Sequence, residues 1–360
     1  MDSNHLTYFK IENFKRFESF EMSNIGQFNL LVGDNNVGKT SVLEALLVDD
    51  EAYEWIVKLY NSLILRKLFP ALSYKITDII ALINHEETWH SILTQKDISL
   101  SFTTQFIGEE STSSIKIIPK MLSELTPDEF NSIKGQINDN ETNTFLEIDR
   151  NSSKELVSLN KYYLSQAKKT FNLLANNTGF SSQLVKKYAQ NINPYKTVRK
   201  QFDSIISHLI TNLEETRIHN YLGEDTIGVV LSNENTVYPI TRFGDGVVKL
   251  SRIVIGILSC GSDKRIMIDE IENGIHFSRL TTFWKEIILL CRNQGIQLFA
   301  TTHSLECQKY FVEALTELGE EYQKDARNIS LVENSAREVK SVTFDFEGFE
   351  FALNIGANTR

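Results

Sequence analysis

The chain has 360 residues, 41% of them hydrophobic and 23% charged, with a formal net charge of -10 at pH 7. Such a length can bury a large core in two or three structural units, and the composition is that of an ordinary soluble globular protein. The acidic balance argues against broad attraction to nucleic acid, leaving a local basic patch as the remaining route to it, and no apolar run approaches the roughly 18 residues of a membrane span. The polar start Met-Asp-Ser-Asn-His sets the expectation of no signal peptide. Cys260, Cys291 and Cys307 lack any paired spacing and are expected to be reduced, mostly buried thiols in a cytoplasmic protein.

Residues 8–14 and 17–22 alternate as a strand pair, and residues 25–32 form the apolar strand that follows. Next comes Gly33-Asp34-Asn35-Asn36-Val37-Gly38-Lys39-Thr40, a full match to the phosphate-loop pattern, and then the helical run opened by Ser41. Strand, glycine-bounded loop and helix are the context in which backbone N–H groups and a helix N-terminus can hold an anion. Asn35, Asn36, Val37, Gly38, Lys39, Thr40 and Ser41 are therefore the candidate nucleotide-binding residues. Lys39 is placed to reach the β- and γ-phosphates, and the Thr40 hydroxyl to ligate Mg²⁺.

From about residue 50 to 95 the pattern turns helical, with Trp55, Ile56, Leu59, Leu63 and Ile64 at three- and four-residue spacing. Strand-like runs follow at 98–107 and 115–118, a capped helix start near Ser123, and a short strand at 145–148. Residues 151–222 are polar and read as mostly helical with a break at Pro194. They carry Lys186, Lys187, Lys196, Arg199 and Lys200, which read as a solvated helical face, with a nucleic-acid contact as the alternative. Residues 227–231 and 236–240 read as a hairpin.

The strand Arg265-Ile266-Met267-Ile268 ends in Asp269 and Glu270. In a parallel sheet, ligands gather at the carboxyl ends of strands, which sets both acids beside the phosphate loop. Asp269 suits the Mg²⁺ shell, and Glu270 suits polarising the attacking water, unless the pair acts purely electrostatically. A further apolar strand, residues 296–300, leads to Thr301-Thr302-His303-Ser304. His303, at that strand's end, can reach a γ-phosphate or the water.

This order of motifs resembles an ABC-type ATPase head. The closer resemblance is to RecF-like and OLD-like (overcoming-lysogenization-defect) ATPases and their small stand-alone relatives in bacterial defence, such as Septu-like or PARIS-like ATPase subunits. Matching stretches are residues 28–47, 239–246, 267–276 and 298–305, with 339–360 resembling the family's ending. The resemblance implies an α/β fold: an ABC-type P-loop NTPase with a mixed or parallel core sheet, an antiparallel N-terminal β-subdomain and a helical insertion lobe. The implied division is a core split between residues 1–50 and 227–360, with 51–226 inserted. It also implies that Gly244 and Gly246 stand where such heads carry the signature that binds the γ-phosphate of a second head, although Gly244 replaces the signature serine. Glu272-Asn273-Gly274-Ile275-His276 resembles the loop that crosses the dimer interface. The glutamine loop has no clear match at Gln95 or Gln105.

About 230 residues separate Lys39 from Asp269 without the sustained heptads of an SMC-like arm. The 57 residues after His303 are too few for an OLD-type nuclease domain, and Asp345, Glu347 and Glu350 read as a solvated strand–turn edge, so no nuclease centre is expected. The expected function is a Mg²⁺-dependent ATPase. It forms a homodimer or higher homo-oligomer around ATP and regulates a separate effector, a nuclease or toxin, in anti-phage defence. A RecF-like ATPase that clamps DNA directly, and an ATP-bound scaffold with little turnover, are the alternatives.

Overall fold

The computed structural model describes residues 5–47, 55, 58–59, 89, 92–93, 99–134, 144–150, 153–158, 173–174, 181–260 and 264–356. The first elements are β1 (Leu6–Phe14), β2 (Phe17–Ser23), β3 (Phe28–Gly33) and α1 (Lys39–Ala45). After them come β4 (Leu100–Phe106), β5 (Ser113–Met121), α2 (Pro127–Ile133), β6 (Thr144–Arg150), β7 (Ser153–Ser158) and β8 (Leu173–Leu174). Then follow α3 (Ser182–Asn191), α4 (Lys196–Ile206), β9 (Leu213–Tyr221), β10 (Glu224–Leu231), β11 (Val237–Pro239) and α5 (Asp245–Leu258). The chain continues through β12 (Arg265–Ile268), α6 (Leu280–Gln294), β13 (Gln297–Thr301), α7 (Leu305–Leu318) and α8 (Glu320–Gln323). It finishes with β14 (Ala326–Glu333), β15 (Val339–Phe344) and α9 (Phe346–Asn354).

Among the described residues these strands form three sheets, ordered β15–β14–β3–β13–β12–β8, β2–β1–β4–β5–β6–β7 and β11–β10–β9. In the first, β14, β3, β13, β12 and β8 run parallel and β15 pairs antiparallel at the edge. Strands covered on both faces read as continuous apolar runs, and β3, β12 and β13 are buried throughout. Side chains alternate between faces with period two. Leu31, Met267, Phe299 and Ile329 pack towards the antiparallel sheet and α1. Leu30, Val32, Ile266, Ile268, Leu298 and Ala300 pack with α5, α6 and α7.

The antiparallel sheet is fastened to the parallel sheet and to α1 by buried polar groups. The Gln297 amide, fully buried at the start of β13, donates to the carbonyls of Leu6 (2.8 Å) and Gly26 (2.7 Å) and accepts from the Leu6 N–H (3.0 Å). Glu44 of α1, equally buried, pairs with Lys15 in the β1–β2 turn. A buried carboxylate of this kind persists only with its cation in place.

Several sequence expectations meet the structure differently. Among the described residues of 151–222, β7, β8 and β9 are strands beside the helices α3 and α4, which flank Pro194. The reason is that β7 and β9 are partly solvent-facing antiparallel strands, whose polar residues hide an alternating pattern. Strands β4 to β7, drawn from residues 100–158, extend the sheet that β1 and β2 begin. The capped helix start in the stretch from Ser123 forms as expected: Thr126 caps α2, accepting from the Glu129 N–H in a capping box. Asp345 caps α9 by accepting from the Gly348 N–H (2.9 Å), so Glu347 and Glu350 lie on a helix and not on a strand edge. The hairpin at 227–240 forms as β10 and β11, and β10 also pairs with β9. In the stretch from 50 to 95, Trp55 and Leu59 are helical and buried, whereas Ile56, Leu63 and Ile64 lie outside the described residues. No described helix is long and apolar enough to cross a membrane.

Candidate nucleotide site

Three strand ends meet at the site because β13 lies between β3 and β12. The register pairs Met267 with Phe299 and Leu298 with Phe28, so the phosphate loop, Asp269 and Thr301 leave the sheet at one edge. Face parity completes the placement. Residue 269 shares the face of Met267 and residue 301 that of Phe299, the side on which α1 packs.

The loop between β3 and α1 is shaped by its glycines and anchored by one apolar side chain. Gly38, the residue before α1, has φ 103°, and a Cβ there would stand 2.7 Å from Phe17 Cζ. Only glycine fits both constraints. Val37 is buried in the core, so its side chain holds the loop down and only its backbone can face a ligand. Asn35 and Asn36 are exposed on the loop, and Asn36 has φ 66°, a region asparagine tolerates. Arg16, which sequence reasoning passed over, donates to the Asn36 carbonyl and pairs with Glu333 Oε2, tying the loop to β14.

Lys39 is 5% exposed, and its ammonium donates to the carbonyls of Gly33 (2.7 Å) and Asp34 (2.9 Å). Burial pulls its pKa below the ordinary lysine value, opposed by the charges of Asp269, Asp34, Glu270 and Glu272. The Thr40 hydroxyl donates to both Asp269 oxygens, at 3.2 and 3.1 Å, and the Thr301 hydroxyl donates to Asp269 Oδ1 at 2.7 Å. Ser41, partly buried, follows in the first turn of α1.

Glu270 is held on every side. Its φ is +47°, a left-handed conformation that costs a non-glycine residue roughly 1–2 kcal/mol. The surroundings impose this geometry. Its N–H donates to Thr301 Oγ1 (2.8 Å), its carbonyl accepts from Lys249 Nζ (2.9 Å), and Asn273 Nδ2 donates to Oε2 (2.6 Å). His303 Nε2 lies 3.4 Å from Glu270 Oε1, and the His303 N–H donates to Glu272 Oε1 (3.1 Å). Sequence reasoning assigned no role to Thr301 or Lys249. The alternation along β13 could have revealed Thr301, because it falls on the Asp269 face. Lys249 lies on the largely apolar helix α5; burial lowers its pKa to about 8, with Arg252 adding to the effect.

The structure brings Thr40, Asp269, Glu270 and His303 together, whereas Gly244 and Gly246 sit at the start of α5. Gly244 precedes the helix with no other atoms within 4 Å of where a Cβ would be. Gly246 faces inward: a Cβ there would stand 2.9 Å from the Gly274 carbonyl oxygen of its own chain. A bulky residue at 246 therefore disturbs the subunit itself and does not report on assembly alone. Gly246→Ala is expected to lower stability by about 1–3 kcal/mol, the usual cost of overpacking. An unchanged midpoint in urea denaturation would show that the loop yields freely. Gln105 turns its amide to the Glu109 carbonyl (2.9 Å), and Gln95 lies outside the described residues.

The donor set fits Mg²⁺. Thr40 and Asp269 supply hard oxygens, the kind of ligand with which such an ion is bound beside substrate phosphates.

The chain is similar to known proteins in family and in fold. Residues 28–306 match the family model described as "AAA domain, putative AbiEii toxin, Type IV TA system". The chain is 27% identical over 335 residues to a Helicobacter pylori protein named "ATP/GTP phosphatase", covering 86% of this chain and 87% of that one. Among solved structures, the SMC head domain from Thermotoga maritima superposes with TM-score 0.50 at 13% identity, covering 95% of this chain and 99% of that one. A Pyrococcus furiosus Smc head domain, bound to the C-terminal domain of ScpA, superposes with TM-score 0.54 at 10% identity, covering 98% and 99%. At such identities the likeness shows the fold, that of an ABC-type ATPase head.

Proposed function

We infer the function from the family: this chain belongs to the AAA-domain family described as putative AbiEii toxin of a type IV TA system, and is a P-loop ATPase. We propose that ATP hydrolysis occurs where Thr40, Asp269, Glu270 and His303 converge, and that Mg²⁺ supports it. The observation that carries the site is the Asp269 carboxylate, bonded at once by Thr40 from the phosphate loop and Thr301 from β13.

Each group has a task that follows from its surroundings. Lys39 provides the buried cation for the β- and γ-phosphates, and the loop N–H groups and the N-terminus of α1 face the same charge. Thr40 and Asp269 would hold Mg²⁺, which neutralises phosphate charge when bound. Glu270, oriented by Asn273 and by its clamped backbone, accepts a hydrogen bond from the attacking water and draws off its proton. His303, beside Glu270 Oε1, orients that carboxylate and reaches towards the γ-phosphate.

The finer reading is that two or more copies close around ATP through Gly244, Gly246 and the loop from Glu272 to His276. The closed form would then switch a separate nuclease or toxin in anti-phage defence. Exposure of Gly244, Asn273, Gly274 and His276 supports a surface available to a second copy. The test uses the Glu270→Gln chain, which should hold ATP unhydrolysed. Its mass by light scattering is expected to double or more on adding Mg²⁺ and ATP, and a mass that stays monomeric in both conditions would refute assembly.

One observation favours the DNA-clamping alternative. Lys186 on α3 and Lys196 and Lys200 on α4 are exposed on neighbouring helices. Were they to grip phosphates, DNA affinity would fall steeply with salt, by about 0.9 log units per log unit of salt for each contact. Absence of any salt-sensitive DNA binding removes that alternative.

A further inference from the structure

We propose that Lys249 is a positioning residue for hydrolysis, linking helix α5 to the water-polarising Glu270. The inference rests on Glu270 having that role, and it adds a dependence of turnover on where α5 sits.

Both main-chain polar groups of Glu270 are held by side chains. Thr301 takes the N–H from β13, and Lys249 takes the carbonyl from α5, sharing it with the Asn273 N–H (3.1 Å) of the following turn. The residue between these contacts sits in a left-handed conformation, which persists only where its surroundings over-determine it. Lys249 is 8% exposed, and its ammonium is directed into this corner by the bond to the Glu270 carbonyl. Asp269, Glu270 and Glu272 offset the cost of burying that charge, and Arg252 one turn on adds to it.

The same end of α5 lies close to the loop after Glu270. A Cβ added at Gly274 would stand 3.5 Å from Asp245 Cβ, and one added at Gly246 would stand 2.9 Å from the Gly274 carbonyl oxygen. Residues 246 and 249 are three apart and share a helix face. A displacement of the start of α5 would thus press on the loop after Glu270 and withdraw one of the two hydrogen bonds on the Glu270 carbonyl. Among the described residues Lys249 donates to that carbonyl, so it acts through Glu270 and is not itself a catalytic residue.

The experiment compares Lys249→Met and Lys249→Arg in the full chain, each alone and combined with Glu270→Gln, using ATP turnover and the affinity of a fluorescent ATP analogue. Lys249→Met is expected to lower kcat on the order of tenfold to a hundredfold, as small misplacements of reacting groups do. Nucleotide affinity should stay within about twofold, the pattern of an interaction needed only in the transition state. Lys249→Arg should restore most of kcat, and adding Lys249→Met to Glu270→Gln should lower the residual rate no further. A merely structural lysine would instead cost affinity and unfolding midpoint along with turnover.

Unchanged kcat in Lys249→Met overturns the proposal, as does an undiminished further loss on the Glu270→Gln background. If Glu270→Gln itself keeps full turnover, the fault lies with the role given to Glu270. If Glu270→Gln is inactive while Lys249→Met is active, only the role of Lys249 falls. Should Lys249→Met fail to fold, Lys249→Gln is read by the same criteria; failure of both to fold marks the lysine as structural and ends the proposal.

Discussion

Lys39→Ala is expected to abolish productive nucleotide binding. The side chain is the buried cation of the phosphate loop, and it sits among Asp34, Asp269, Glu270 and Glu272. Removing it leaves four carboxylates facing a triphosphate with no lysine between them. Truncating one partner of a buried, hydrogen-bonded charge pair costs about 2–5 kcal/mol, or roughly thirtyfold to several-thousandfold in Kd. Titration with a fluorescent ATP analogue, beside a thermal melt to confirm folding, reads the effect. The melt is needed because Lys39 also ties the carbonyls of Gly33 and Asp34 together. Affinity unchanged in a folded variant would dismiss the phosphate-loop assignment.

Lys39 and Glu270 could be found in the sequence because their signals are local. A six-residue buried strand, a glycine-bounded loop and a helix lie in unbroken order, and β12 is an apolar run that stops at Asp269. Parallel strands covered on both faces announce themselves by composition. Strands β7 and β9 did not, because Ser-Lys-Glu-Leu-Val-Ser and Leu-Glu-Glu-Thr-Arg-Ile-His-Asn-Tyr are largely solvent-facing. Their strand character comes from pairing with β6 and β10. That is tertiary context overriding local propensity.

The supporting residues were hidden for another reason. Thr301 and Lys249 come from elements separated in sequence from Glu270, and their roles exist only once β12 lies beside β13 and α5 packs behind it. Gly246 was read through its resemblance to a signature that meets a partner head, and a side chain added there would also meet the Gly274 carbonyl of its own chain. A sequence motif names a residue's type and place in the chain. It does not say which of two subunits the residue touches.

Glu270→Gln is expected to keep ATP bound and to slow turnover on the order of a hundredfold or more, the range for a lost general base. The substitution is nearly isosteric, so the Asn273 contact, the left-handed backbone and the Lys249 and Thr301 hydrogen bonds can remain. What changes is the charge: a neutral amide can still orient a water but cannot take its proton. Because the Coulombic partners of Lys39 fall from four to three, the phosphate cation is less neutralised. Nucleotide affinity should therefore hold or rise while kcat falls, a combination that loss of structure cannot produce. Single-turnover measurement of phosphate release, set against equilibrium binding of ATP, separates the two. Equal release rates in variant and parent would remove Glu270 from the mechanism and leave Asp269 and His303 to account for hydrolysis. The predicted outcome instead makes this variant the means of trapping the ATP-bound form, in which contact between copies through Gly244 and the Glu272 to His276 loop can be measured directly.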